Sequence, residues 1–100
     1  MKYLTVHVTQ EDIDQGDVGN WMSCPIARAT NRQLKPGYRA EVEQENLDIY
    51  PVGDVSLVAH SRTSLRAAAF IDRFDQKKKV KPATFRFAIT WEANGRDWRE

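Results

Sequence analysis

The sequence predicts a single α+β domain, residues 1–100, in which a mostly antiparallel sheet of about four strands carries two main helices on one face. Three observations predict it. The stretch from Ser23 to Leu34 has helical periodicity between a marked start and a marked stop. Three segments between Tyr38 and His60 alternate apolar and polar residues and are separated by turn signals. Thr84 to Trp91 alternates most strongly of all. The order of elements reads β-α-α-β-β-β-α-β.

Taken along the chain, Tyr3 to Val8 alternates and is rich in β-branched residues, a strand signature. Thr9 opens a T-x-x-D pattern with Asp12, a near relative of the capping box, and Glu11, Asp12 and Asp14 suit the positive end of a short helix that Gly16 stops. Asp17 to Met22 is a loop with Trp21 as its large apolar group. Ser23 caps the next helix, Pro25 is tolerated in its first turn, and Lys35-Pro36-Gly37 ends it. Ile26, Ala27, Thr30 and Leu34 fall on one face of that helix, and Arg28, Arg32 and Lys35 on the other.

An antiparallel meander follows. Tyr38 to Gln44 places Tyr38, Ala40 and Val42 inward against Arg39, Glu41 and Glu43. Leu47 to Val52 returns after the Glu45-Asn46 turn, and Val55 to His60 returns again after Gly53-Asp54, with Val55, Leu57 and Ala59 on one face. A third helix, about Ser64 to Gln76, has Ala67, Phe70, Ile71 and Phe74 as its apolar stripe and Lys77, Lys78 and Lys79 at its C-terminal end, where cations suit the macrodipole. In the last strand Phe85, Phe87, Ile89 and Trp91 alternate with Thr84, Arg86, Ala88 and Thr90. Asp97 to Glu100 reads as a polar tail holding one tryptophan. Val6, Ile26, Leu34, Val42, Leu57, Phe70, Phe74, Phe87 and Ile89 are the expected core.

With 41% hydrophobic and 29% charged residues the chain is globular in composition. Its net charge is +1, which by itself points to no nucleic-acid partner. The distribution is uneven: residues 1–50 hold 5 basic and 8 acidic side chains, residues 51–100 hold 10 and 6. The single cysteine, Cys24, excludes an intrachain disulfide and fits a reducing compartment. Met1 to His7 has no extended apolar core, so no signal peptide is expected, and no apolar run is long enough for a membrane span.

The chemistry-bearing residues form no familiar constellation. Cys24 in a first helical turn, with His7 or His60 as base and Asp12 or Asp14 as orienter, is the one nucleophilic arrangement available; the alternative is a small buried hydrophobe. No metal-ligand spacing joins Cys24, His7 and His60, Asp12, Asp14 and Asp17 lack the glycine and distal glutamate of a calcium loop, and no phosphate-binding glycine loop is present. The expectation is therefore no enzyme, no cofactor and no metal. Two surfaces remain. Arg28, Arg32 and Lys35 with Lys77, Lys78, Lys79 and Lys81 are the candidates for contact with nucleic acid, or else a solvated helix face and a dipole-favoured helix end. Glu41, Glu43, Glu45 and Asp48, with Trp21, are the candidates for docking a protein, or else the charges that keep an edge strand from aggregating.

Val8-Thr9-Gln10-Glu11-Asp12-Ile13-Asp14-Gln15-Gly16 followed by Ser23-Cys24-Pro25-Ile26-Ala27, and Ala69-Phe70-Ile71-Asp72-Arg73-Phe74-Asp75 followed by Val80-Lys81-Pro82-Ala83-Thr84-Phe85, resemble a family of short, uncharacterised proteins from bacteriophages and other mobile elements. The resemblance covers most of the chain in order, and the family has no assigned catalytic residues. It implies a phage product in the bacterial cytoplasm, off the membrane, that binds a host protein or complex and inhibits a host process or a defence system such as a CRISPR complex. Nucleic acid is the alternative partner.

Overall fold

The computed structural model describes residues 2–100. Its elements are β1 (Lys2–Val8), α1 (Gln10–Gln15), α2 (Pro25–Asn31), β2 (Tyr38–Val42), β3 (Asn46–Pro51), β4 (Ala59–Arg62), α3 (Leu65–Asp75) and β5 (Ala83–Glu92). The sheet has five strands, not about four, in the order β1-β5-β4-β3-β2, and every neighbouring pair is antiparallel. It curls into a half-barrel. Leu4, Val6, Ala40, Val42, Leu47, Ile49, Phe85 and Phe87 point into the curl and join Ile26, Ala27 and Ala29 of α2 and Ala67, Phe70 and Ile71 of α3 in one core. No helix among the described residues is long and apolar enough to cross a membrane.

α2 is buried on more than one side, because Pro25, Ile26, Ala27, Ala29 and Thr30 are all inaccessible. It lies between the two edge strands, and its flanks stitch both of them. On β1, the outward carbonyls of Tyr3, Thr5 and His7 accept from Arg99 (3.2 Å), Gln33 (2.5 Å) and Arg32 (3.2 Å). On β2, the outward N–H groups of Tyr38, Ala40 and Val42 donate to Lys35 O (3.2 Å), Asn31 Oδ1 (2.8 Å) and Trp21 O (2.8 Å). An edge strand leaves such groups open by default.

The starts and ends of the helices differ from expectation in instructive ways. Cys24, not Ser23, is the N-cap of α2 and makes no side-chain cap bond, because the Ser23 hydroxyl donates to Asp17 instead. α2 also stops at Asn31, ahead of Lys35-Pro36-Gly37. Gln33 and Lys35 leave the helix to pair with residues 98–100, Lys35 N–H donating to Trp98 O and Glu100 N–H to Gln33 O, both at 2.9 Å. The capping box of α1 is present: Thr9 Oγ1 accepts from Asp12 N–H and Asp12 accepts from Thr9 N–H. Gly16, which closes α1, has ordinary extended backbone; it is needed for room, since a Cβ there would lie 2.7 Å from Asp12 O and 2.8 Å from Pro25 Cδ.

α3 ends in a Schellman arrangement. Lys77 N–H donates to Phe74 O and Lys78 N–H to Arg73 O. The residue in the left-handed position is Lys77, with φ 60°, where glycine is the usual occupant. Left-handed backbone costs a side-chain-bearing residue about 1–2 kcal/mol, and the extra freedom of an unfolded glycine offsets part of that. Lys77→Gly is therefore expected to stabilise the fold by about 0.5–1 kcal/mol in urea titrations. An unchanged or lower midpoint would mean that Lys77 sits there without strain.

Two strand assignments change. The third meander strand is Ala59–Arg62, not Val55–His60. Val55 is 86% exposed, and Leu57 is only half-buried while Val58 is buried. The regular spacing of Val55, Leu57 and Ala59 is overridden by pairing, because Val58 N–H donates to Ile49 O and Val58 O accepts from Ala93 N–H. In β5, Ile89 pairs with Ser61 but Trp91 pairs with His60, so β5 carries one extra residue at this point. Such a bulge flips the alternation. Trp91 turns outward and is 49% exposed, while Trp98, read above as part of a polar tail, is 1% exposed and is the largest fully buried side chain.

Candidate functional site

The loop from Asp17 to Cys24 is held by its own polar groups. Asn20 Oδ1 accepts from Met22 N–H, Asn20 O accepts from the N–H groups of Ser23 and Cys24, and Asp17 N–H donates to Ser23 O. Gly19 N–H donates to Asp75 of α3 at 2.9 Å, which ties the loop to that helix. Trp21, whose carbonyl is bonded to β2, is left 51% exposed, and the same loop also exposes Val18 (46%) and Met22 (48%). A hollow of about 170 Å³ opens here, lined by Trp21, Glu43, Gln44, Ile71 and Asp75. Trp21 and Glu43, far apart in sequence, thus share one depression.

The other acidic candidates do not line it. Glu45 is exposed between β2 and β3. Glu41 and Asp48 are direct cross-strand partners on the outer, helix-free face of the sheet. Like charges opposite one another repel, and each has a polar partner beside it: the Arg39 guanidinium pairs with Glu41, and His60 Nδ1 lies 2.5 Å from Asp48. Arg39 also lies over the Tyr50 ring, 4.8 Å from its centroid. Burial pushes the Tyr50 hydroxyl upward, Asp48 and Glu41 push it further, and Arg39 pulls against them. The row continues through His60 to the outward Trp91.

The basic candidates separate into two groups. Arg32 is committed inward: Nη1 and Nη2 donate to Asp12 Oδ1 (2.5 Å) and Oδ2 (2.7 Å). Arg28 Nε lies 3.7 Å from the same carboxylate, and Lys35 pairs with Asp97. Asp12 itself is fully buried. Burial alone would push its carboxyl up, but the bonds from Arg32 and from Thr9 outweigh this and hold it below the ordinary carboxylate value. The residues that read as a free positive stripe are therefore engaged in ion pairs, Arg32 and Arg28 with the buried Asp12 and Lys35 with the exposed Asp97. Lys77, Lys78, Lys79 and Lys81, by contrast, are exposed beyond α3.

Cys24 is 3% exposed, and burial pushes its thiol up against the pull of backbone N–H groups of Ala27 and Ile26. A thiol in that state is a poor nucleophile. His7 bonds Thr84 and His60 bonds Asp48, so neither approaches the sulfur as a hydrogen-bond partner. No group of three or more metal-ligating side chains is gathered among the described residues.

Four side chains escaped the sequence. Asp75 joins the hollow from α3, and with Asp72 it marks one polar side of that helix, which the helical period made available. Trp91 faces outward because of a bulge that no local pattern announces. Arg66 and Arg73 line a separate recess with Lys79 and Lys81. Comparison of the chain with protein-family profiles, with curated proteins and with solved structures found no match.

Proposed function

We propose that this is a small non-enzymatic binding protein that engages a protein partner through its acidic, tryptophan-bearing end. The observation that carries the reading is Trp21: a half-exposed indole on a braced loop, opening onto a hollow with Glu43 and Asp75. Tryptophan anchors dominate interface energetics, and carboxylates around one steer a basic partner toward it. The alternative role for the glutamates, protection of the β2 edge, loses force because α2 and its flanks already occupy the N–H groups of that edge. The burial of Cys24 supports the non-enzymatic part of the reading. The phage-family resemblance supplies the setting, a host protein or complex in a bacterial cytoplasm, with inhibition of a host process or defence system as its consequence.

The test begins with a photo-crosslinking amino acid at position 21, and at exposed Leu65 as control, in protein expressed in bacteria. One discrete adduct from position 21 and none from 65 is expected; none from position 21 overturns the reading. With the captured partner, the Glu43→Lys, Glu45→Lys double variant should melt as the parent does. Its association rate should fall by about tenfold or more at low salt and lose most of its salt dependence. Equal rates for both proteins across the salt range would remove these carboxylates from the interface.

A further inference from the structure

α3 is polar on two sides. Asp72 and Asp75 face the loop and hairpin that hold Trp21 and Gln44. Arg66 and Arg73 are two helical turns apart, about 10 Å along the axis, and border a different recess. That recess has a volume of about 350 Å³ and a floor of Phe70, Val80, Ala83 and Phe85. Its rim is Arg66, Arg73, Lys79 and Lys81, with no carboxylate in the lining. None of the four forms an ion pair among the described residues.

Two of these cations are already oriented. Arg66 donates Nη1 to Thr84 O at 2.7 Å, and Arg73 donates Nη2 to Lys79 O at 3.2 Å, so each fork is fixed by one bond and keeps its remaining donors. The Arg66 guanidinium lies over the Phe85 ring, 4.9 Å from the centroid. One face of that planar cation is covered by the ring, and the other faces away from it. An apolar floor, a planar cation and a row of positive charge form the combination that takes unpaired bases and their phosphates together. No side-chain amide or hydroxyl lines the recess, so nothing there reads a base edge.

We propose that this groove binds single-stranded nucleic acid without sequence preference, one base lying in the recess and successive phosphates on the rim cations. The surface is distinct from the acidic end, and the inference stands independently of the protein-binding reading. It differs from the expected basic helix face, because Arg28, Arg32 and Lys35 are engaged elsewhere while Lys79 and Lys81 remain.

The experiment is an anisotropy titration of a labelled oligothymidylate of about twelve nucleotides, a length within the usual single-strand site size. Four neutralised phosphates predict a log–log salt slope of about −3, or about fiftyfold weaker binding between about 50 and about 200 mM salt. Lys79→Gln, Lys81→Gln should keep the parent melting temperature and about halve that slope. Ala69→Glu, which sets a carboxylate on the exposed helix position above the floor, should weaken binding at least tenfold. Oligoadenylate should bind like oligothymidylate, and a duplex of equal length more weakly. Absence of saturable binding at low salt, an unchanged slope in the double-lysine variant, duplex binding as tight as single strand, or equal competition by polyglutamate would each overturn the proposal. The last outcome would assign the groove to acidic peptides.

Discussion

Trp98→Ala is expected to cost about 3–5 kcal/mol, a large part of the stability of a domain this size. The indole is fully buried, and its Nε1 donates to Glu92 Oε1 at 3.0 Å. Truncation would lose the buried area, open a cavity under β5 and leave Glu92 with only its ion pair to Lys2. The segment around it is held by the bonds of Lys35 to Trp98 and of Glu100 to Gln33, the Lys35–Asp97 ion pair, the cation of Arg99 and this side chain. Residues 98–100 should therefore come loose first, and the carbonyl of Tyr3 should lose its Arg99 donor with them. Urea titration followed by far-UV circular dichroism measures the loss. A cost below about 1 kcal/mol would mean that the indole does not pack as described. Of the three tryptophans, Trp21 and Trp91 are about half-exposed, so the blue-shifted component of the fluorescence should disappear in this variant alone.

Asp12→Asn should be nearly as damaging, at about 2–3 kcal/mol. The carboxylate is inaccessible and accepts from Thr9 N–H and from both terminal nitrogens of Arg32. Breaking a fully buried pair costs more, but Arg32 is 51% exposed and can return to water, which reduces the penalty. Asparagine also presents an NH₂ group where one charge-assisted bond had an acceptor. Asp12→Ala additionally removes the capping box and should cost about 1 kcal/mol more. The effect carries a pH signature. The Asp12 carboxyl is lowered in the folded state, so its contribution is complete above the ordinary value near 3.8 and disappears as pH falls through the lowered folded value. The stability gap between parent and Asp12→Asn should be constant from neutrality down to about pH 5 and close in the acid limb. A gap that persists undiminished at the acid end would show that the carboxylate charge is not what Arg32 responds to.

What was legible in the sequence was local. The T-x-x-D box spans three residues and needs nothing beyond its own turn, so Thr9 and Asp12 announced it. Phe85, Phe87 and Ile89 announced their strand, and Ala67, Phe70 and Ile71 their helix face, because burial on one side imposes a period. What was not legible depends on partners far along the chain. Arg32 lies 20 residues from Asp12, and nothing at either position says that a basic helix face will close on a buried acid. The register of β4 is set by Ile49 and Ala93, so Val55 and Leu57 kept a strand-like spacing without a strand. Trp91 turned outward because one inserted residue in β5 reverses the pleat, and pleat parity cannot be counted before the pairing is known. Trp98 is held in its buried place by bonds to Glu92 and to Lys35, neither of which lies in its own turn. At the site, Trp21 and Glu43 were each visible as candidates, but their meeting depends on the bond between Trp21 O and Val42 N–H.

The stitching of both sheet margins by one short helix and its flanks bears on how the molecule opens. Amides at a sheet margin ordinarily exchange with solvent deuterium early, strand by strand. Here the N–H groups of Ala40 and Val42 on one margin donate to Asn31 and Trp21, while on the other margin Thr5 and His7 are tied through their carbonyl oxygens to Gln33 and Arg32. Lifting α2 and its flanks away is expected to free both margins together, with the β2 amides protected until then. The half-barrel is accordingly expected to open as a single unit with α2 and its flanks as its clasp, leaving the exposed 52–56 stretch and the exposed lysine-rich turn after α3 as the places where amides exchange first.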